Sequence, residues 1–473
     1  MMSFSKQLRI IGGGCGMLLL AGCATSQTQV PSRGPIEVPI GWAMAEPSGA
    51  ELELSSYWTL LGDPLINQFV EQAQRENLDI AQAAARLAIV RASLREARAS
   101  RLPGVSANGS IQRDVGDFSQ NNFGFGLGAD VSWETDLFGR ISARIDSAEA
   151  DLIAAGYTRA DTERAIVAQV VLQSITAKQL AMQLEIARAS LAIQDENLQI
   201  ARWRREAGLV SSLDVEQART QRAQTAATIP QIEGDLAATA NALSTLLGET
   251  SGRVLEEISN SARVPAPPQT ANFSAPAEIL RRRPDVRAAE AQLASDTARI
   301  GLARAQLSPL VRLTGTVGTN SIGIDNLFDI ITGNLFASMS QLIFDGGRTR
   351  AQIDQAEAVA EGSLAAWKRS ILIALEDVET SAVQLRSARQ RTVLFDEASG
   401  AAENAALLAR SQYQAGLIDF QILLTAESQL LSARNSAVSA EASRASAFTR
   451  LARALGGGSG QMENMTVIDG DSE

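Results

Sequence analysis

The chain contains itself twice, and this constrains its fold more than any other feature. Residues 139–150 read GRISARIDSAEA and residues 347–358 read GRTRAQIDQAEA, with eight identities in twelve positions at a separation of 208. Further along, Ala201, Arg202, Ala207, Gly208 and Leu209 recur at that separation as Ala409, Arg410, Ala415, Gly416 and Leu417. Upstream the match continues at a separation of 206, where Leu78-Asp79-Ile80 answers Pro284-Asp285-Val286 and Leu102-Pro103 answers Ser308-Pro309. A two-residue slip therefore lies between Pro309 and Gly347. A register held this long means that each half builds the same unit and presents the same kind of surface to a neighbour.

Each half runs through the same order of patterns. Leu65, Phe69, Ala73, Leu78, Ala81, Ala85, Ala88 and Ala92 fall at helical spacing and predict one helix over about 64–101, ended by Pro103 and Gly104. Alternation follows from Val105 to Gln112 and, after a polar turn, becomes sharper: Phe123, Phe125, Leu127, Ala129, Val131 and Trp133 on one face, Gly124, Gly126, Gly128, Asp130, Ser132 and Glu134 on the other. A period of two over some ten residues predicts a strand with one apolar and one polar face. The second half alternates less cleanly, at Val311–Gly318 and Leu335–Ser340, around a partly apolar loop. A very long helix comes next in each half. From Ile141 to Glu206 there is no proline and one glycine, Gly156, and at ~1.5 Å per residue such a helix reaches on the order of 100 Å. Leu180, Leu184, Ala187, Leu191, Gln194, Leu198 and Ala201 keep a coiled-coil spacing within it. The helices end at Gly208-Leu209 and Gly416-Leu417, which predicts two helix-hairpin tips. Return helices are expected over about 211–247, kinked or interrupted at Pro230, and 419–455.

The N-terminus has the layout of a signal peptide: Lys6 and Arg9, a short apolar run, then Leu20-Ala21-Gly22-Cys23. The last four residues resemble a bacterial lipobox, in which Cys23 is acylated and becomes the mature N-terminus, and Ala24 after it suits an outer-membrane destination. Cys15 leaves with the signal peptide, so the mature chain has one cysteine and no intrachain disulfide. Loss of Lys6 and Arg9 takes the formal net charge from −11 to about −13, which argues against nucleic acid as a partner. The chain contains no histidine, so Ser-His-Asp and Cys-His catalysis and His-ligated zinc are excluded. No phosphate-binding glycine loop and no metal-ligand cluster stands out; no catalytic residue, metal or cofactor is expected. The expected organisation is a signal peptide at 1–22, a lipidated tether and extended segment at 23–63, a first repeat at 64–250, a linker at 251–275, a second repeat at 276–456 and a disordered acidic tail at 457–473.

Two hairpins supply four strands per chain, whereas a single-chain membrane barrel needs at least eight, because lipid tolerates no open edge. A barrel must therefore be shared between subunits. Two chains would give a filled interior; three give twelve strands and room for a passage. The expected fold is mainly α, with long helical hairpins and a membrane β-barrel. Phe123, Phe125, Leu127, Val131 and Trp133 would face lipid, and Asp130, Ser132 and Glu134 the lumen.

Several motifs carry a resemblance. Tyr57-Trp58 with Gly62-Asp63-Pro64-Leu65, the run from Trp133 to Arg140 (WETDLFGR), Leu280 to Asp285 (LRRRPD), Phe344-Asp345-Gly346-Gly347 and Ala454 to Gly458 (ALGGG) together resemble the outer membrane efflux protein family. The match is best to its lipoprotein branch of OprM-like and NodT-like factors related to TolC. The resemblance covers nearly the whole mature chain. It implies a homotrimer with a twelve-stranded barrel in outer membrane lipid and a periplasmic helical tunnel, receiving substrates from an inner-membrane efflux pump through a periplasmic adaptor protein. It also implies a closed entrance held by a tyrosine shortly before the second tip glycine and an aspartate six residues after the first, positions occupied here by Tyr413 and Asp214. The acidic ring of relatives corresponds to Ile422 and Thr425, with Asp419 and Gln421 as the nearest polar replacements. Two other readings share these features: the outer component of a type I protein secretion system, and a structural coiled-coil lipoprotein that conducts nothing.

Overall fold

The structure, a computed structural model, describes residues 39–43, 54–113, 115, 123–268 and 276–458. The expected signal peptide, Cys23, much of the tether and the tail from 459 lie outside them. In chain order a short 3-10 turn at Tyr57–Leu61 precedes α1 (Pro64–Glu76), α2 (Leu78–Ala99), β1 (Gly104–Arg113), β2 (Phe123–Thr135), α3 (Arg140–Glu206), α4 (Ser212–Leu246) and α5 (Arg253–Asn260). The second half supplies α6 (Pro276–Arg282), α7 (Pro284–Ala305), β3 (Leu310–Ile322), β4 (Thr332–Ser340), α8 (Arg348–Gln414) and α9 (Phe420–Ala454). The chain divides into two compact units. Among the described residues, one contains those within 100–147 and 296–364, the other those within 39–99, 148–295 and 365–458.

The first unit carries one antiparallel sheet in the order β1-β2-β3-β4. Its register puts Leu127 between Gly109 and Thr319, and Val131 between Val105 and Gly315. β3 and β4 are longer than their alternation suggests. Twelve of the thirteen residues of β2 pair with β3, as far as Ile322, so the ladder carries Thr319, Asn320 and Ser321, which have no apolar period to announce them.

The second unit is helical. The single helix expected over 64–101 is two, because Asn77 interrupts it. Its backbone is extended, its side-chain oxygen accepts from the amides of Asp79 and Ile80, and its Nδ2 donates to the Leu246 carbonyl at 2.8 Å. An asparagine that caps the following helix in this way competes with helix continuation. The equivalent position in the second half is Arg283, where α6 gives way to α7. Pro230 does not interrupt its helix, since α4 runs from Ser212 through Leu246. The expected linker holds a helix, α5, whose Val254 and Ile258 are fully buried one turn apart.

The core gathers Tyr57, Ile66, Phe69, Val170, Ile175, Leu243, Ile258, Phe448 and Leu451. The apolar stretch of α3 is long enough to cross a membrane, but 56% of it is buried inside the protein, as in a core helix. Lys178, fully buried, pairs with Asp63 at 2.6 Å and donates to the Ser261 carbonyl and hydroxyl at 3.0 and 3.1 Å. Asp63 in turn caps α1 by accepting from the amides of Leu65 and Ile66. Two buried arginines close the far end of α9: Arg164 donates to the Arg453 carbonyl at 2.9 Å and Arg283 to the Ala454 carbonyl at 3.0 Å. Terminal carbonyls lack intrahelical partners and carry the negative end of the helix dipole, so cations suit them twice over.

Candidate functional site

Two surfaces matter for a conduit: the faces of the sheet and the tips of the helix hairpins. On the sheet, direct cross-strand partners share a face. One face joins Val105 and Ile111 to Phe123, Phe125, Leu127, Val131 and Trp133, then to Leu313, Val317, Leu335 and Met339. In the single chain this apolar face is open, with Leu127 46% and Leu335 84% exposed. Its ends carry polar contacts: Trp133 donates its indole N–H to the Arg101 carbonyl at 2.9 Å, and Arg113 lies 5.1 Å over the Phe123 ring. The opposite face is mainly polar, with Ser106, Asn108, Asp130, Ser132, Thr314, Thr316 and Asn334 on it beside the apolar Ile322 and Phe336. Asn108 donates to Asp130 at 2.6 Å. At Gly126 a Cβ would sit 2.6 Å from Asn320 Oδ1 and 2.7 Å from Ser110 Oγ, so the glycines of β2 give these neighbours room to lie across the strand.

The two hairpin tips belong to the helical unit. At the first, Gly208 has φ 74°, its amide donates to the Arg205 carbonyl and that of Leu209 to the Arg204 carbonyl; at the second, Gly416 has φ 74° with the equivalent bonds to Tyr413 and Gln412. This double closure with a left-handed glycine ends a helix cleanly. Leu209 and Leu417 are left 73% and 74% exposed. Beyond the turns the tips differ. Ser211 and Asp214 form a reciprocal capping box at the start of α4, whereas Asp419 starts α9 without a side-chain cap.

Asp214 and Tyr413 do not take each other as partners within one chain. The Asp214 carboxylate accepts from the Ser211 amide at 2.8 Å and hydroxyl at 3.0 Å. Tyr413 is buried against Phe420, with ring centroids 5.2 Å apart, and the Arg204 guanidinium lies 4.2 Å over its ring. Arg204 also donates to the Tyr413 carbonyl at 3.1 Å. Among the described residues the Tyr413 hydroxyl is buried without a hydrogen-bond partner. Burial pushes its pKa up against the pull of Arg204, and the charge of Asp214 adds to the push, so the hydroxyl keeps its proton and remains a donor. Gln421 and Thr425 line a groove of about 530 Å³ between α4 and α9, together with Leu213, Glu216 and Thr220. Asp419 is exposed.

Three tip residues escape the sequence reading. Glu427 is buried, accepts from Asn197 of α3, and pairs with Arg410 of α8 at 3.1 Å. One carboxylate thereby ties three helices. Its position, seven residues after Phe420 and three after Leu424 on the buried stripe of α9, was the available signal, since a charge on an apolar stripe needs partners.

The comparisons with known proteins agree with this geometry. The family described as outer membrane efflux protein matches residues 69–249 and 275–457, once per internal repeat. The chain belongs to the outer membrane efflux protein family. Nodulation protein T of Rhizobium leguminosarum bv. trifolii is 30% identical over 452 residues, covering 93% of this chain and 96% of the relative. The toluene efflux pump outer membrane protein TtgF of Pseudomonas putida is 29% identical over 477 residues, covering 93% and 95%. Among solved structures, the outer-membrane channel OprN superposes with a TM-score of 0.79 at 30% identity, covering 89% of this chain and 98% of that one. The protein is accordingly an outer-membrane efflux component that serves as an exit duct.

Proposed function

We propose that three copies of the chain close their sheets into one twelve-stranded barrel in the outer membrane, and that the chain works there as the passive exit duct of a tripartite efflux system. The observation that carries this reading is the sheet itself. It has one apolar and one polar face, and β1 and β4 each pair on one side only among the described strands. Lipid cannot satisfy such edges, so β4 of one copy must meet β1 of the next. Two copies would leave an interior filled by side chains; three leave a passage lined by Asp130, Ser132 and Thr316. In this reading Phe123, Phe125, Leu127, Val131 and Trp133 face lipid, acylated Cys23 supplies a second membrane attachment, and the hairpin tips meet the adaptor and pump. The relative named for toluene efflux favours small molecules over secreted proteins as cargo.

Native mass spectrometry and planar-bilayer recordings test it. The expected results are a three-chain assembly and discrete conductance steps; a monomer, or a trimer that never conducts, overturns the reading. An arginine at Leu127 should cost about 2–4 kcal/mol near the bilayer midplane, whereas Ser132→Arg should mainly alter conductance.

A further inference from the structure

The internal repeat fixes a strand register that no single copy displays. Moving a β1 position forward by 206 and its β2 partner by 208, the two separations found in the sequence, reproduces every pair of β3 with β4. Gly104 with Ser132 becomes Leu310 with Ser340, Val105 with Val131 becomes Val311 with Met339, and Gln112 with Gly124 becomes Gly318 with Thr332. The two hairpins are one unit built twice, pair for pair.

Three copies supply six such hairpins to one barrel. Two kinds of junction then alternate around it: β2 with β3 inside each copy, and β4 with β1 of the next. A barrel closes only with a fixed stagger, and equivalent units meet equivalently around a closed ring. The junction inside the copy is therefore a template for the seam. Carried through the same separations, Asp130 with Thr316 becomes Ser338 opposite Ser110 of the next copy, Val131 with Gly315 becomes Met339 opposite Gly109, and Thr135 with Val311 becomes Ile343 opposite Val105.

On the shared-barrel reading above, we infer that β4 of one copy pairs with β1 of the next in this register, and that the pairing extends β4 from Ser340 to Ile343. The side chains left open at the two edges fit it. Leu335, Met339 and, just past β4, Ile343 are 84%, 71% and 87% exposed, and Val105 and Ile111 on the other edge 71% and 73%. The register gathers all five on the face assigned to lipid. Met339 comes over Gly109, which already gives room to Leu127 on its other side. Leu335 comes opposite Arg113, whose guanidinium lies over the Phe123 ring at the far end of the sheet. A slip of one residue would turn Leu335 and Met339 to the lumen. A slip of two keeps the faces, but one way it sets Ile343 against Pro103, which has no amide to donate. The other way it sets Val105 against Asp345, whose carboxylate is bound to the amides of Gly347 and Thr349.

The test uses the full-length protein in the outer membrane, with the parent chain, whose only cysteines are Cys15 and Cys23, as the blank. Ser110→Cys with Ser338→Cys should link under mild oxidation into a covalent trimer. Within one chain these positions lie three strand spacings apart, about 14 Å, beyond the reach of a disulfide, so each bond reports a seam. Ser110→Cys with Phe336→Cys, or with Ser340→Cys, moves the pair to a diagonal of about 7–8 Å and should lower the yield of linked trimer on the order of tenfold. Asn108→Cys with Ser340→Cys repeats the test in the same register should the Ser338 variant fail to assemble. A shifted pair that links best overturns the register. A trimer in which no pair links overturns the seam and leaves the three-chain assembly standing. A chain that stays monomeric overturns the shared barrel, and the register with it.

Discussion

The helical body and the hairpin tips are built from the same long helices, yet they are held by different means. In the body, each buried cation is fully used: Lys178 bonds to Asp63 and twice to Ser261, and Arg283 spends its nitrogens on Asp285, Asp377 and the end of α9. At the tips a cluster of nine buried residues supplies the apolar core among the described residues, against the far larger cluster of the body, while unpaired buried polar atoms occur in both regions, Arg410 Nε and the Tyr413 hydroxyl at the tips and the Tyr57 hydroxyl, Ser244 Oγ and Arg444 Nε in the body. Local stability follows buried apolar contact and satisfied polar groups. The difference teaches that the body is fixed, and that the tips are the part of the helical unit with little to lose by moving.

The largest effect should come from breaking the buried pair of the body. Lys178→Met strands Asp63, and removal of one partner of such a pair costs about 3–5 kcal/mol. Denaturant unfolding should show that loss, with little trimer recovered. Adding Asp63→Asn should restore much of it, because the asparagine leaves no uncompensated charge and can still cap α1. If Lys178→Met alone unfolds like the parent protein, the body is not locked by this contact.

Acid should weaken the body next. Burial pushes the Asp285 carboxyl up, but the hydrogen bond and charge of Arg283, with help from Arg164, hold it below its ordinary value of 3.8. A depressed carboxylate contributes stability that is complete above its unfolded pKa and lost as the pH falls through the folded one. Below about pH 4 the melting temperature should therefore fall, and Asp285→Asn should lower it at neutral pH while flattening this acid limb. An acid limb of unchanged slope in the variant would move the effect to other carboxylates.

The tip network ranks third. Glu427→Ala leaves Asn197 and Arg410 without their acceptor, a loss of about 1–3 kcal/mol for buried polar groups. Its signature is local: faster amide exchange in the last turns of α3 and α8 and the first of α9, with global melting unchanged. A global drop like that of Lys178→Met would erase the distinction between body and tips.

Much of this was legible because it is periodic. The repeat, the alternation of Phe123 to Trp133, the stripe from Leu180 to Ala201 and the tip glycines all follow from short-range spacing, and the structure places strands, a buried stripe and turns there. What was hidden depends on partners distant in sequence. Lys178 stands just ahead of the Leu180 stripe with no local pattern to mark it as buried, and its acceptors come from Asp63 and Ser261. Asn77 lies inside a helical pattern and breaks it through a bond to Leu246. Val254 and Ile258 are two apolar positions among serines and prolines, too few to announce a helix, and the core makes them one. At the entrance, family resemblance directs attention to Asp214 and Tyr413, while the contacts that bind the tip within one chain belong to Arg204, Glu427 and Asn197.

That contrast yields the smallest and most discriminating prediction. Among the described residues of one chain the Tyr413 hydroxyl has no hydrogen-bond partner, so Tyr413→Phe removes no bond seen there and should leave tip exchange at the parent rate. Asp214→Ala removes half of a capping box and should fray the start of α4 by about 0.5–2 kcal/mol. The double variant therefore separates two roles for the tyrosine. If its hydroxyl reaches a neighbouring subunit in the closed trimer, Tyr413→Phe with Asp214→Ala raises resting conductance well above that of Asp214→Ala alone and admits large antibiotics. If the two proteins conduct alike, the entrance is closed by packing around Phe420 and Arg204, and the tyrosine serves it only through its ring.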